Sequence, residues 1–350
     1  MIKPDKSAVS RAFPLTDEFR SEAEKFLQLI KKAKRILISS TLTSDGDSIG
    51  SQIGIYELIR SIRKDPVGIT IVNESAVPSR YRFLKNTHVI KTREEIGASA
   101  RSSDFDLGIV CDGGVERTGN VQDLFESIRD VILVDHHAVG SERDYASKLL
   151  DLTSSSTCEL VYHLYEFAGV AVSPEVAEHL FVGIVFDTGF FKHSLTTPRT
   201  HFVASHLIAT GIDFSKISDR AILERSWEAQ LLLKTLLGNM ERSANGKIIS
   251  SYWTDAELKH IRPKDGDQEG MINQLYFTEG AEVVALFTEK EDGNVKISFR
   301  SKGKANVAEF ARTLDPQGGG HVRAAGCQVK GDLARAKTDV IQKLTTLLSS

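Results

Sequence analysis

The tripeptide Asp135-His136-His137 constrains this chain more than any other stretch. It closes the apolar run Val131-Ile132-Leu133-Val134, which reads as a buried strand. Three further apolar runs end in the same way. Ile36-Leu37-Ile38 leads into Asp45-Gly46-Asp47, Leu107-Gly108-Ile109-Val110-Cys111 ends at Asp112, and Val182-Gly183-Ile184-Val185-Phe186 ends at Asp187. Runs that each deliver a carboxylate or an imidazole at the carboxyl end are what a parallel sheet needs to build a metal site at its rim.

The chain has 350 residues, enough for two domains or one large one. A hydrophobic fraction of 41% and a charged fraction of 26% describe an ordinary soluble globular protein. No apolar run approaches the ~20 residues of a membrane span. The start, Met1-Ile2-Lys3-Pro4-Asp5-Lys6, is too polar for a signal peptide. Cys111, Cys158 and Cys327 are widely spaced and odd in number, which argues against a disulfide framework and a cysteine-based zinc site. A reducing cytoplasm is the expected compartment. The net charge of -3 argues against a protein that coats duplex nucleic acid. Between Arg300 and Arg323, however, Arg300, Lys302, Lys304, Arg312 and Arg323 face only Glu309 and Asp315. Such a patch suits a small anion better than a long polymer.

Strands alternate with helical periodicity through the first half, so the expected fold is α/β with a mainly parallel sheet and flanking helices. Residues 17–34 read as an amphipathic helix and 49–62 as another. Ser154-Ser155-Ser156 is placed to cap a helix over 158–167. Helical pattern then runs from about Pro174 to Arg242, broken near Gly211, and Arg225–Arg242 reads as a linker helix. After Ala244-Asn245-Gly246 the character changes to strands over 248–253, 281–288 and 295–301, the last two joined by a hairpin at Asp292-Gly293-Asn294. A closing helix is expected over 333–348. The expected domains are an N-terminal extension 1–16 with no assigned role, a metal-binding domain 17–210, a helical linker 211–245 and a smaller α/β domain 246–350.

Asp45, Asp47, Asp112, His136 and Asp187 form an oxygen-rich set with one imidazole, which suits Mn²⁺ or Mg²⁺ better than zinc or copper. Two such ions can share a carboxylate, activate a water and neutralise a phosphate under attack. Any one of these aspartates alone reads more simply as a turn or cap residue; the joint pattern favours the metal. His137 reads equally as a phosphate contact, a proton donor or a turn residue. Gly318-Gly319-Gly320-His321 reads as a glycine loop whose backbone N–H groups can face a phosphate. Arg300 and Arg323 can add charge or stack on a base, and Arg117 can hold a phosphate oxygen; for each, a solvated surface charge is the plain alternative. His193, His201 and His206 read as surface or core histidines, and Asp265-Gly266-Asp267 as a loop.

Together these motifs resemble the DHH phosphoesterase family over roughly residues 20–345, and within it the bacterial nanoRNases that are oligoribonucleases and pAp phosphatases. The resemblance rests on Ser44-Asp45-Gly46-Asp47-Ser48-Ile49-Gly50, on Asp112 with Arg117 downstream, on Asp135-His136-His137, on Asp187 after a strand, and on Gly318–His321 of a DHH-associated C-terminal domain. It implies two domains with substrate in the cleft between them. It implies that Asp45 and Asp112 hold one Mn²⁺ and that Asp47, Asp112, His136 and Asp187 hold the other. Asp135 would orient His136 from behind, and Asp112, Arg117 and His137 would serve catalysis. Arg300, Ser301, Gly318, Gly319, Gly320, His321 and Arg323 would bind the substrate. The chain departs from the family at Thr41, where a histidine ligand is expected, and at Ser44, where a proline is usual. A hydroxyl is a poor ligand beside an imidazole. Water fills the gap, His193 swings in, or the site holds a single metal.

The expected activity is a Mn²⁺-dependent phosphodiesterase that cuts short single-stranded oligoribonucleotides or linear dinucleotides to mononucleotides. The alternatives are a 3′,5′-bisphosphate nucleotide (pAp) phosphatase, a cyclic dinucleotide hydrolase, and a nucleotide-binding protein weakened in catalysis by Thr41. The resemblance also implies a homodimer; the charge and the lack of a long apolar run make neither duplex nucleic acid nor a membrane an expected partner.

Overall fold

Residues 13–42, 44–97, 99–138, 143–264, 266–268 and 270–349 are described by a computed structural model. The first twelve residues of the expected extension 1–16 lie outside the described residues, as does Asp265 of the expected Asp265–Asp267 loop; Gly266 and Asp267 lie in a turn. The chain divides into two compact units between Glu224 and Arg225.

The first unit is built on six strands: β1 (Arg35–Ser40), β2 (Gly68–Asn73), β3 (Ile90–Thr92), β4 (Leu107–Cys111), β5 (Val131–Asp135) and β6 (Ser147–Leu150). Their order is β3-β2-β1-β4-β5-β6 and every pairing is parallel. Alternation along each strand sorts the side chains to two cores. Ile36, Ile38, Ile109, Cys111, Ile132 and Val134 join one cluster, while Leu37, Val110, Val131 and Leu133 join the other. The direction of strand succession reverses between β1 and β4. In such sheets the carboxyl ends of the two strands diverge there and leave a crevice.

Helix α1 (Asp17–Lys32) is capped by Thr16. Helix α2 (Gly46–Ile62) starts at Asp45, whose Oδ1 accepts the N–H groups of Asp47 and Ser48 at 2.9 and 3.0 Å. Its residues from Gly46 to Ile55 are all buried. They lie close to helices α3 (Thr157–Phe167) and α4 (Pro174–Asp187) because small residues face them. A Cβ on Gly50 would come within 2.5 Å of the His179 carbonyl oxygen.

Two expectations meet here. The helical pattern from Pro174 holds and the strand reading fails: Val182–Phe186 forms the last turns of α4, so Asp187 ends a helix. A short apolar run does not distinguish a buried strand from a helix buried on all sides, and Leu180 to Val185 are all buried. The Ser173 cap followed by Pro174 was the signal for the helix. The long helical stretch continues as α5 (Pro198–Ala209), α6 (Phe214–Ser218) and α7 (Trp227–Gly238).

The second unit holds β7 (Glu241–Ser243), β8 (Ile248–Trp253), β9 (Val283–Glu289), β10 (Asn294–Ser301), β11 (Gly319–His321) and β12 (Ala324–Lys330) in the order β11-β12-β10-β9-β8-β7. Only β8 and β9 run parallel. Helix α7 covers one face, with Ala229, Leu232 and Leu236 packed among Ile249, Trp253 and Val284. The other face carries α8 (Val307–Leu314) and α9 (Leu333–Ser349) over Phe287, Ile297 and Phe299. The glycine run expected as a loop is instead the edge strand β11, with Gly319 paired to Gly326 and His321 to Ala324. Gly320 has φ +139°, and a Cβ there would meet the Ala324 carbonyl oxygen at 2.4 Å, so only glycine fits.

Candidate metal and phosphate site

The carboxyl ends of β1, β4 and β5 and the end of α4 converge at the strand-order reversal. A cavity of about 400 Å³ opens there, lined by Thr41, Leu42, Asp45, Asp112, Glu116, Arg117, Gly119, His137 and Asp187. Asp112 follows β4 directly and adopts φ +59°, an uncommon conformation for a residue with a side chain. Its Oδ2 accepts the Ser48 hydroxyl at 2.5 Å.

Asp47 is fully buried, and its two oxygens accept backbone N–H groups from the first turn of α3. Thr157 N lies 2.7 Å from Oδ2 and Cys158 N lies 2.8 Å from Oδ1. A helix N-terminus is a favourable seat for a carboxylate. Close packing makes this reach available, since a Cβ on Gly183 of α4 would come within 2.7 Å of Asp47 Oδ1.

His136 turns Nδ1 toward the carbonyl of Ser154, at 3.2 Å. A carbonyl only accepts, so Nδ1 carries the proton and Nε2 presents a lone pair. That lone pair faces Asp187 Oδ2 at 3.1 Å and Asp47 Oδ2 at 4.0 Å. Although 3.1 Å is close enough for an ion pair, neither His136 Nε2 nor Asp187 Oδ2 makes a hydrogen bond, and both are buried. A lone pair and two carboxylates aimed at one point repel each other unless a cation lies between them. The acids feel the same field. Burial, then repulsion from Asp47 and Asp45, pushes the Asp112 and Asp187 carboxyls well above the usual carboxylate range. Two groups of side chains bring their ligand atoms within 4.8 Å of one another, Asp47 with His136 and Asp187, and Asp112 with His136 and His137. This donor set fits a divalent metal ion.

The partner expected for Asp135 is not the one observed. Asp135 Oδ1 lies 2.9 Å from His137 Nδ1 and accepts the His137 backbone N–H at 3.0 Å. The residue behind His136 is Ser154, through its carbonyl. His136 and His137 leave the strand in a bend, so adjacency in sequence does not decide which of them Asp135 meets. Thr41 is buried in the cavity wall, and Arg117 is exposed on it with no ion pair among the described residues. His193 bonds through Nδ1 to the Asp187 carbonyl oxygen at 2.8 Å, His201 stacks on Phe191, and His206 meets the Tyr162 hydroxyl.

In the second unit Arg300 and Ser301 end β10. Arg300 Nη1 donates to its neighbour's carbonyl, Phe299 O, at 2.9 Å, and Ser301 is buried with its hydroxyl on Ala305 O. Gly320, His321 and Arg323 are exposed, Gly319 is half-buried and Gly318 is buried. Arg312, read from sequence only as charge, stands beside Gly319.

The model of the DHH family N-terminal domain matches residues 35–184, and that of the DHHA1 domain matches residues 245–350. The chain belongs to the DHH family. It is accordingly a phosphoester hydrolase. The DHH match spans all six strands of the first sheet and every residue of the cluster except Asp187. Among curated relatives, the bifunctional oligoribonuclease and PAP phosphatase NrnA of Thermus thermophilus is 28% identical over 309 residues, covering 88% of each chain. The NrnA of Mycoplasma genitalium is 24% identical over 322 residues, 91% of this chain and 96% of its own. The solved structure of an exopolyphosphatase-related protein from Bacteroides fragilis shares the fold with a TM-score of 0.84 at 25% identity, covering 95% of this DHH chain and 98% of that one.

Proposed function

We propose that this DHH protein is a Mn²⁺-dependent phosphodiesterase that degrades very short oligoribonucleotides or linear dinucleotides to mononucleotides. The observation that carries the reading is the cavity that brings Asp45, Asp112, Asp187 and His137 together with the exposed side chain of Arg117. Asp45 and Asp112 are proposed to hold one cation, and Asp47, Asp112, His136 and Asp187 the second, with Mg²⁺ as the substitute. Bound there, divalent ions supply charge neutralisation and a more acidic water. Arg117 takes a non-bridging phosphate oxygen. His137, anchored at Nδ1 by Asp135, passes a proton at its other ring nitrogen to the leaving oxygen.

Residues 246–350 are proposed as the substrate-binding domain, joined through 211–245 to a catalytic domain 17–210. There Arg300, Gly319, Gly320, His321 and Arg323 grip the end of a short chain and so limit its length. A homodimer in the cytoplasm is the proposed working state. Among the described residues no helix is long and apolar enough to cross a membrane.

A second reading, a 3′,5′-bisphosphate nucleotide phosphatase, is favoured by the double activity named for the NrnA relatives. The deciding experiment is turnover of a labelled di- to pentaribonucleotide series, with pAp in parallel, across a Mn²⁺ titration. Mononucleotide release supports the first reading, and release of phosphate from pAp alone supports the second. Ligand binding without product at saturating Mn²⁺ would overturn both and leave a binding protein altered at Thr41.

A further inference from the structure

Asp47 and His136 are held by one short turn, residues 151–158. Ser154 gives its carbonyl to His136, and Thr157 and Cys158 give their N–H groups to Asp47. Ser154, Ser155, Ser156 and Thr157 of the turn are fully buried polar residues, so its shape depends on the hydrogen bonds they find. Asp151 supplies part of it, with Oδ1 accepting the Thr153 N–H at 2.8 Å and the Thr153 hydroxyl at 2.6 Å. Ser156 supplies another part by capping α3 on the Glu159 N–H at 3.1 Å.

The remainder is an ion pair that crosses from another helix. Arg199 lies in the first turn of α5, where a cation is disfavoured by the helix dipole. Its guanidinium leaves that helix and binds both ends of the turn. Nε meets Glu159 Oε1 at 2.5 Å, and Nη2 meets Asp151 Oδ2 at 2.9 Å. The Glu159 side chain is 0% exposed, and its second oxygen accepts the Ser155 hydroxyl at 2.5 Å. Asp151 thus has one oxygen on the turn and one on Arg199, and Glu159 has one on the turn and one on Arg199. A guanidinium can do this because its donors are fixed in one plane.

We propose that Arg199 is a positioning residue for the metal site: with Glu159 and Asp151 it clamps the 151–158 turn in the shape that aims Asp47 and His136 at a common cation. The inference rests on the reading of those two side chains as cation-holding groups. Arg199 touches neither of them and acts through the turn. Partners that orient metal ligands from behind contribute about ten- to a hundredfold to metal affinity.

The test is calorimetric titration of the full-length protein with Mn²⁺ alone, beside hydrogen exchange of the Thr157 and Cys158 amides in metal-free protein. Arg199→Leu is expected to weaken Mn²⁺ binding about tenfold or more and to speed exchange at both amides. Arg199→Lys, which keeps one of the two contacts, should fall between. Ser155→Ala leaves the ion pair and removes only the bond to Glu159, so it serves if Arg199→Leu does not fold, with a smaller loss of the same sign. Mn²⁺ affinity within about twofold of wild type in folded Arg199→Leu, or in Ser155→Ala where Arg199→Leu does not fold, overturns the clamp, even if the melting temperature drops. Absence of Mn²⁺ binding by the wild type overturns the metal reading first and the clamp with it.

Discussion

Asp135 Oδ1 holds His137 twice, at the backbone N–H and at Nδ1, while its neighbour His136 is left to a carbonyl oxygen of the 151–158 turn. The two adjacent histidines therefore have different supports and are open to separate test. Asp135→Asn weakens a charge-assisted bond to His137 and leaves Ser154 on His136. Turnover is expected to fall about tenfold or more, with Mn²⁺ affinity changed by less than about twofold. Single-turnover rates and calorimetry on the same preparation check this. Lost metal affinity with full turnover at saturating Mn²⁺ would return Asp135 to the role of supporting His136.

Without a cation, burial and the neighbouring acids, Asp47, Asp45 and Asp187, oppose the charge of Asp112. Asp112→Asn keeps the shape, tolerates the left-handed backbone, and can still accept the Ser48 hydroxyl. Metal-free protein is expected to gain stability, while Mn²⁺ binding and turnover are lost. Urea unfolding in the presence of chelator, with and without the substitution, measures the first effect. A loss of metal-free stability would show that Asp112 is held by favourable contacts and not by the need for a ligand.

Position 41 offers the reverse experiment. Thr41 sits in the cavity wall, at the position where the resemblance leads one to expect a histidine. Thr41→His is expected to move the Mn²⁺ concentration for half-maximal turnover down about tenfold, within the range by which such ligand-sphere changes act. An unchanged titration curve would mean that the site is already complete.

His179 predicts a pH dependence of stability. It is buried in α4, with Nε2 on the Lys85 carbonyl at 2.7 Å and Nδ1 without a partner. Burial lowers its pKa from 6.5 to about 4. Unfolded chains bind a proton below pH 6.5 that the folded one refuses until about pH 4. The neutral ring therefore contributes stability that is complete above pH 6.5 and lost as the pH falls toward 4, about 3 kcal/mol in all. His179→Gln should flatten the difference in unfolding free energy between pH 4.5 and pH 7 relative to wild type. A slope equal to wild type would mean that the ring is hydrated and titrates normally.

The parallel sheet was legible through β1, β4 and β5, where a short apolar run leads to a polar residue; β3 (Ile90-Lys91-Thr92) and β6 (Ser147-Lys148-Leu149-Leu150) carry no such run and were not read. The same logic found Asp112 and the Asp135–His137 tripeptide, and the Asp45 turn by its spacing from β1. It misplaced Asp187, since an apolar run of that length carries no period to separate helix from strand. The supports of the site were not legible at all. Ser154, Thr157 and Cys158 act through main-chain atoms, and Arg199 acts from a distant helix. No side-chain pattern encodes a carbonyl that faces an imidazole. Gly318–Gly320 showed its special backbone need but not its pairing, because strand partners lie in the residues after it.

Asp187 is carried by the end of one helix and Asp47 by the start of another, while Asp112 and His136 follow strand ends. A cation shared among them would be a removable rivet between a helical layer and the sheet. A ligand present at a hundredfold its dissociation constant adds about 2.7 kcal/mol to folding stability. The protein's lifetime would then follow the supply of metal as closely as its activity does, and a cell starved of that metal would lose the enzyme to its proteases as well as to idleness.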